Sequence, residues 1–221
     1  DTDGGANSAF IPSGSLYNPA GIDRLKNAVN SYRVATRIMT DQMTTNVNLL
    51  AIPGIRDSYI TDNASTLARD NSMMMYMMDI VKYDDSGNRL FDNSTSKADV
   101  FKTAEQFDSR TIDNNYVAAY FPDVVMNDQV NNRNVTVPAS VAAFAALGLN
   151  DRIAYPWFAP AGFNRASLDW VKALDVSIDG ADRDVLSDAR INPIAKFPRE
   201  GIVIWGQKTL QRLPTALDRV N

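Results

Sequence analysis

The side chains best suited to chemistry are carboxylates in close pairs: Asp84 with Asp85, Asp175 with Asp179, and Asp182 with Asp184. Two carboxyls flanking a bond are the machinery of glycoside hydrolysis. That reaction needs them about 5–10 Å apart across a cleft, which nearness in sequence does not supply. Each pair lies in a polar loop or on the polar side of a helical stretch, and solvated surface is where Asp ordinarily resides. Asp84-Asp85-Ser86-Gly87-Asn88 offers oxygen ligands, but lacks the alternating ligands and closing Glu of an EF-hand. The same residues are those that turns select.

Other chemistry is thinner. Ser167 and Lys172 are too far apart for the Ser-x-x-Lys pattern of penicillin-binding enzymes, and no glycine run matches a dinucleotide or P-loop fingerprint. The chain has no Cys and no His. That removes disulfides, thiolate and imidazole zinc sites, cysteine nucleophiles and imidazole triads. It also removes the side chain most used for proton transfer near neutral pH. The expectation is a non-enzyme with no catalytic, cofactor-binding or metal-binding residue. Met73 to Met78 could form an adaptable binding surface, but core filling is the favoured reading, and without imidazole it is no copper site. Sequons at Asn63, Asn93 and Asn134 read as chance in an Asn-rich chain without a secretory signal.

Composition sets the bounds. The 221 residues suffice for one large domain or two small ones. Hydrophobic residues at 45% and charged residues at 22% suit a packed soluble core. A net charge of −4 is the wrong sign for sequence-independent phosphate neutralisation, so no nucleic-acid partner is expected. No run approaches the roughly 18 apolar residues of a membrane helix, so no membrane partner is expected either. Asp1-Thr2-Asp3-Gly4-Gly5 has neither the basic start nor the apolar stretch of a signal peptide. Lacking an initiating Met, the chain reads as an excised fragment or a processed product.

The elements that must position these residues follow from periodicity. Residues 1–20, rich in Gly, Ser, Asn and Pro, read as an irregular entry or linker, and residues 21–221 as a single α/β domain. Ile22, Leu25, Val29, Tyr32 and Ala35 predict an amphipathic helix to about Met43. Asn48 to Ile52 is a short buried strand ended by Pro53-Gly54. Ser65 to Asn71 predicts a helix with Asp62 or Asn63 as cap. Met73 to Val81 is read as a strand, residues 84–96 as a polar loop, and Lys97 to Arg110 as an amphipathic helix. Tyr116 to Phe121 predicts a strand, Asp128 to Asn134 a polar turn, and Pro138 to Leu149 a buried helix entered through proline. Leu168 to Ile178 leaves strand and helix open. Ala181 to Ala189 predicts a helix ending before Asn192-Pro193, and Gly201 to Trp205 a strand. Continuous apolar strands alternating with helices predict an α/β fold with a mixed or largely parallel sheet flanked by helices.

The segment Tyr155-Pro156-Trp157-Phe158-Ala159-Pro160-Ala161-Gly162-Phe163-Asn164-Arg165 fits no enzyme motif. Its prolines stiffen the backbone and Gly162 opens a conformation closed to other residues. The aromatics are expected to bury against the sheet, leaving Arg165 displayed to a carboxylate of this domain or of a neighbour.

This segment, then Ile191-Asn192-Pro193-Ile194, then Gly201 to Leu210 and a final Arg219-Val220-Asn221, resemble in order and spacing the C-terminal core of contractile phage tail sheath proteins. Asn46 to Gly54, Tyr116 to Pro122 and Pro138 to Asp151 resemble earlier segments of that core. The resemblance covers roughly residues 46–221, and its strength lies in the order of motifs that are individually weak. It implies a tail-sheath core domain, a structural subunit of the virion tail assembled in the host cytoplasm. Such subunits polymerise helically around an inner tail tube and shorten when the baseplate triggers them. The implied partners are copies of itself, the inner tail tube protein, and baseplate and tail terminator proteins. Similar proteins serve contractile bacteriocins and secretion systems. The family's N-terminal arm, its C-terminal helix and strand, and its protruding domains find no match here. The competing expectations are a carboxylate-based glycosidase and a glycan- or receptor-binding module of a phage tail.

Overall fold

The computed structural model describes residues 27–91, 94, 96–155 and 157–220. The expected entry segment 1–20 lies outside them. In chain order the helices are α1 (Asn27–Met39), α2 (Ser58–Asn71), α3 (Val100–Asp108), α4 (Ala139–Ile153) and α5 (Gly180–Asp188). The strands are β1 (Leu49–Ala51), β2 (Met75–Asp79), β3 (Lys82–Tyr83), β4 (Arg89–Leu90), β5 (Val117–Phe121), β6 (Val124–Asp128), β7 (Arg133–Val137), β8 (Val171–Leu174), β9 (Ile191–Phe197) and β10 (Gly201–Ile204).

The main sheet has the order β1-β2-β5-β9-β10. Its first four strands run parallel and β10 returns antiparallel to β9. Helices cover both faces. Ala64 and Ala68 of α2, Ala104 and Phe107 of α3, and Leu186 of α5 pack with Tyr76, Met78, Val117, Ala119 and Ile191. Ala142, Ala143 and Ala146 of α4 pack with Met77, Ala118, Tyr120, Ile194 and Ile204 on the opposite face. Met77 and Met78 thus point opposite ways, the period of two that a strand imposes. The methionine run is mostly core: Met74, Met77 and Met78 are buried, whereas Met73 is exposed. This is the mixed α/β architecture read from the alternation of apolar strands and helices. A second sheet, β7-β6-β8, is antiparallel, and β3-β4 form a hairpin.

Several expectations shift. Helix α1 packs against α2 through Val29, with Ile55 and Ile60. Its buried side also uses Thr36 and Thr40, whereas Tyr32 and Ala35 face outward. Those hydroxyls tolerate burial because they donate to the Tyr32 and Arg37 carbonyls, at 2.8 and 3.1 Å. Helix α2 starts at Ser58, where Asp57 accepts from the Tyr59 amide at 2.9 Å, so Asp62 and Asn63 sit inside the helix. Buried Thr61 and Ser65 break its apolar period. The polar 84–96 loop contains β4. Strand β9 was hidden by Pro193, which lies opposite Phe121 where β5 ends; there the missing N–H removes no ladder bond.

Candidate interaction surface

Helix α4 begins after Pro138, which supplies no side-chain cap. Two buried carboxylates from elsewhere take its place. Asp79, at the end of β2, accepts from the Ser140 amide and hydroxyl at 2.9 and 2.8 Å and from the Gly54 amide at 2.9 Å. Asp123, between β5 and β6, accepts from the Ala139 amide at 3.2 Å. Asp123 also binds Arg56 at 2.7 Å and Lys82 at 3.0 Å, and Lys82 reaches on to Asp175 at 3.0 Å. The brace joins the loop before α2, the β3-β4 hairpin, the β5-β6 turn and the segment after β8. Burial pushes the Asp79 carboxyl above its ordinary value, against the pull of its donors and Arg56. Burial drags the Lys82 ammonium down, but Asp123 and Asp175 outweigh it and hold it above its ordinary value. Asp79 and Asp123 escaped the sequence reading. Their signal was a lone acid closing an apolar strand run, Met73 to Asp79 and Val117 to Asp123.

Four of the six acids singled out earlier go to structural tasks. Asp175 is held by Lys82. Asp179 caps α5 in a reciprocal box with Asp182. Asp84 closes the β3-β4 turn by accepting from the Asn88 backbone and side chain, at 2.7 and 3.2 Å. The Asn88 amide, first among these contacts, holds the exposed Asp84 carboxyl below its ordinary value. Among the described residues no group of three or more acidic side chains is placed to hold a metal ion.

The segment 155–165 is anchored by its backbone and by small residues. The Asn150 side-chain amide donates to the Phe158 carbonyl at 3.0 Å. Gly162, at φ +82°, donates to the Ile204 carbonyl at 2.8 Å. Ala166 and Leu168, just beyond, are the buried pins. The expected burial of the aromatics does not occur: Tyr155 is 61% exposed, Trp157 66% and Phe158 40%. The rings cover one another instead. Tyr155 and Trp157 stack at 4.8 Å between centroids, and the Arg165 guanidinium lies 4.8 Å above the Phe158 ring. A second cluster joins Phe163, Phe197 and Trp205, with centroids 4.9–5.2 Å apart, and Arg183 sits 5.0 Å over Phe197. A domain fully served by its own core has no use for so many half-exposed rings; such patches mark contact surfaces.

Among the described residues Arg165, Lys172, Lys196 and Arg199 form no ion pair of 4.0 Å or less. Arg212 is committed to Asp108 at 2.9 Å, and the Lys208 ammonium donates to the Ser187 carbonyl at 2.8 Å.

Comparison with known proteins bears on what this surface belongs to. The tail sheath protein of Vibrio phage KVP40 is 36% identical over 110 residues, half of this chain and 15% of that protein. The tail sheath protein of Enterobacteria phage T4 is 32% identical over 94 residues, 42% of this chain and 14% of that protein. The chain is related to phage tail sheath proteins. No protein-family profile matches it. In three dimensions it resembles a chain of an extracellular contractile injection system, the PVC sheath complex in its contracted state. The TM-score is 0.59 at 18% identity, covering 88% of this chain and 51% of that one. It also resembles a chain of the contracted helical sheath of the anti-feeding prophage, with TM-score 0.52 at 20% identity, covering 78% of this chain and 41% of that one. These likenesses establish the sheath-like fold. The matched stretches span about one seventh of the length of these phage sheath proteins.

Proposed function

We propose that this chain is the core of a contractile tail sheath subunit, which polymerises helically around an inner tail tube and shortens to drive it through a host envelope. The reading is carried by one joint observation: identity of 32–36% to phage tail sheath proteins in a chain with a sheath-like fold. Its partners are then further copies of itself, the inner tail tube, and baseplate and tail terminator proteins. Its place is the virion tail, assembled in the host cytoplasm. The role is structural rather than enzymatic, in keeping with the absence of imidazole and thiol and with four of the six paired acids engaged in a cap, a turn and an ion pair.

Contraction needs two discrete packings of a rigid unit. The buried brace supplies stiffness, and Arg165, Lys172, Lys196 and Arg199, which form no ion pair among the described residues, can exchange acidic neighbours as subunits slide. The test is electron microscopy of the full-length protein expressed alone. Tubular polymers with a helical repeat are expected; discrete particles under all conditions of salt and concentration would refute the reading.

A further inference from the structure

On the α5 side of β9 and β10 lies a groove of about 530 Å³, lined by Arg183, Lys208 and Arg219 and walled by Phe197 and Trp205. Asp184 is the acidic side chain in its lining, and Arg219 is also held by Asp218 at 3.1 Å. The lining carries three cations to one acid. Burial, then the nearby Arg190, pulls the Lys208 ammonium below its ordinary value, and Arg219 adds to the pull while Asp188 and Asp218 oppose it. Residues 190–212 carry a net charge of +4 in a chain of net −4, so the rest of the chain stands at −8. Aromatic walls beneath fixed cations suit an anionic segment, whose carboxylates gain charge-assisted hydrogen bonds while its backbone covers the rings.

The matching knob is on the same chain. Asp84 and Asp85 are the one adjacent pair of acids in the sequence, at the tip of the β3-β4 hairpin. Neither is in an ion pair of 4.0 Å or less among the described residues. The tip is preorganised by Asp84–Asn88 bonds and by Gly87 at φ +79°. Its location matters as much as its charge. Gly87 and Asn88 share a surface depression with Ser58 and Asp62 of α2, which packs with β2 near one end of the strand order. The groove lies at the β9-β10 end. Knob and groove are separate patches: the depression beside the tip and the groove share no lining residue. A contact between them is heterologous, the kind that propagates into an open helix instead of closing on itself.

We propose that the Arg183–Lys208–Arg219 groove, walled by Phe197 and Trp205, receives the Asp84–Asp85 hairpin tip of a second copy of this chain. This rests on the sheath reading and specifies one of its subunit contacts. The test uses the full-length protein. Arg183→Glu, at a half-buried position, and Asp85→Arg, at an exposed one, each raise the protein concentration needed for tube formation by about tenfold or more, as like charges meet. The combined variant restores it to within about threefold of wild type, because the pair is swapped and not lost. Circular dichroism melts superimposable on wild type show that the fold survives. A photo-crosslinker replacing Trp205 in assembled tubes is expected to capture the 82–91 hairpin of another copy. Wild-type tubes that both single variants match, a double variant no better than the singles, or crosslinks mapping elsewhere would overturn the contact while leaving the sheath reading standing. Failure of the wild-type protein to form tubes would overturn both.

Discussion

Replacing Asp123 with Ala removes the carboxylate that Arg56 and Lys82 share and that the first amide of α4 donates to. All three donors stay behind in a poorly solvated place, since Arg56 and Lys82 are each only 9% exposed. Removing one member of a buried ion pair costs about 3–5 kcal/mol, because a charge remains without its counterion. Lys82 keeps Asp175, at 3.0 Å, a partner a third exposed, and Arg56 keeps its electrostatic interaction with Asp79. For a domain of this size about 1 kcal/mol moves Tm by 2–4 °C, so Asp123→Ala lowers Tm by roughly 6–20 °C. Asp123→Asn separates the two roles: it can still accept from Ala139 but no longer neutralises Arg56, and it should recover only the cap, about 1 kcal/mol. Thermal melts followed by circular dichroism at neutral pH measure all three proteins. A Tm for Asp123→Ala within about 2 °C of wild type would refute the claim that this carboxylate braces the fold, given the shift per kcal/mol expected here.

Two further perturbations follow from the same geometry. Gly206→Ala places a Cβ 2.6 Å from Asn192 Oδ1, 2.8 Å from Asn192 Cα and 2.9 Å from Pro193 Cδ. Backbone on one side leaves little room to yield, so the variant loses about 1–3 kcal/mol in chemical denaturation; an unchanged midpoint would refute it. Ser140→Ala deletes the hydroxyl donor to Asp79 and costs about 1.5–3 kcal/mol where that carboxyl is charged, the range for a bond to a charged group. Because the folded-state pKa of Asp79 is raised, the contribution of this group to stability is complete below its ordinary 3.8 and is lost as pH rises through the raised value. Ser140 serves the charged form, so the penalty of Ser140→Ala grows as pH rises through that raised value and is smaller below it. A penalty that stays constant across the whole pH range over which the protein remains folded would refute this link.

The main sheet was legible wherever its strands are continuous apolar runs, as in β1, β2, β5 and β10, because helices cover both faces and no polar alternation is required. Strand β9 was not, because Asn192 and Pro193 carry the signature of a break. In the fold Asn192 is fully buried and satisfied by the Lys208 backbone, donating to its carbonyl at 2.8 Å and accepting from its amide at 2.6 Å. Strand β7 was missed for the opposite reason: it is polar and largely exposed, and is held by pairing with β6 and not by a core. The interaction surface was half legible. The odd concentration of rings and prolines in 155–165 was visible, but whether a ring faces the core or solvent depends on neighbours 40 residues away, as with Phe163 against Trp205. Arg183, Phe197 and Lys208 converge only through the sheet topology, and no local pattern announces them.

The sharing of one carboxylate by Arg56 and Lys82 has a mechanical meaning. Arg56, in the loop before α2, and Lys82, in the β3-β4 hairpin, both close on Asp123 at the turn where β5 ends and β6 begins, so a pull on either element loads that one side chain. Releasing either element therefore slackens the hold on the other, and the two anchors are won or lost together.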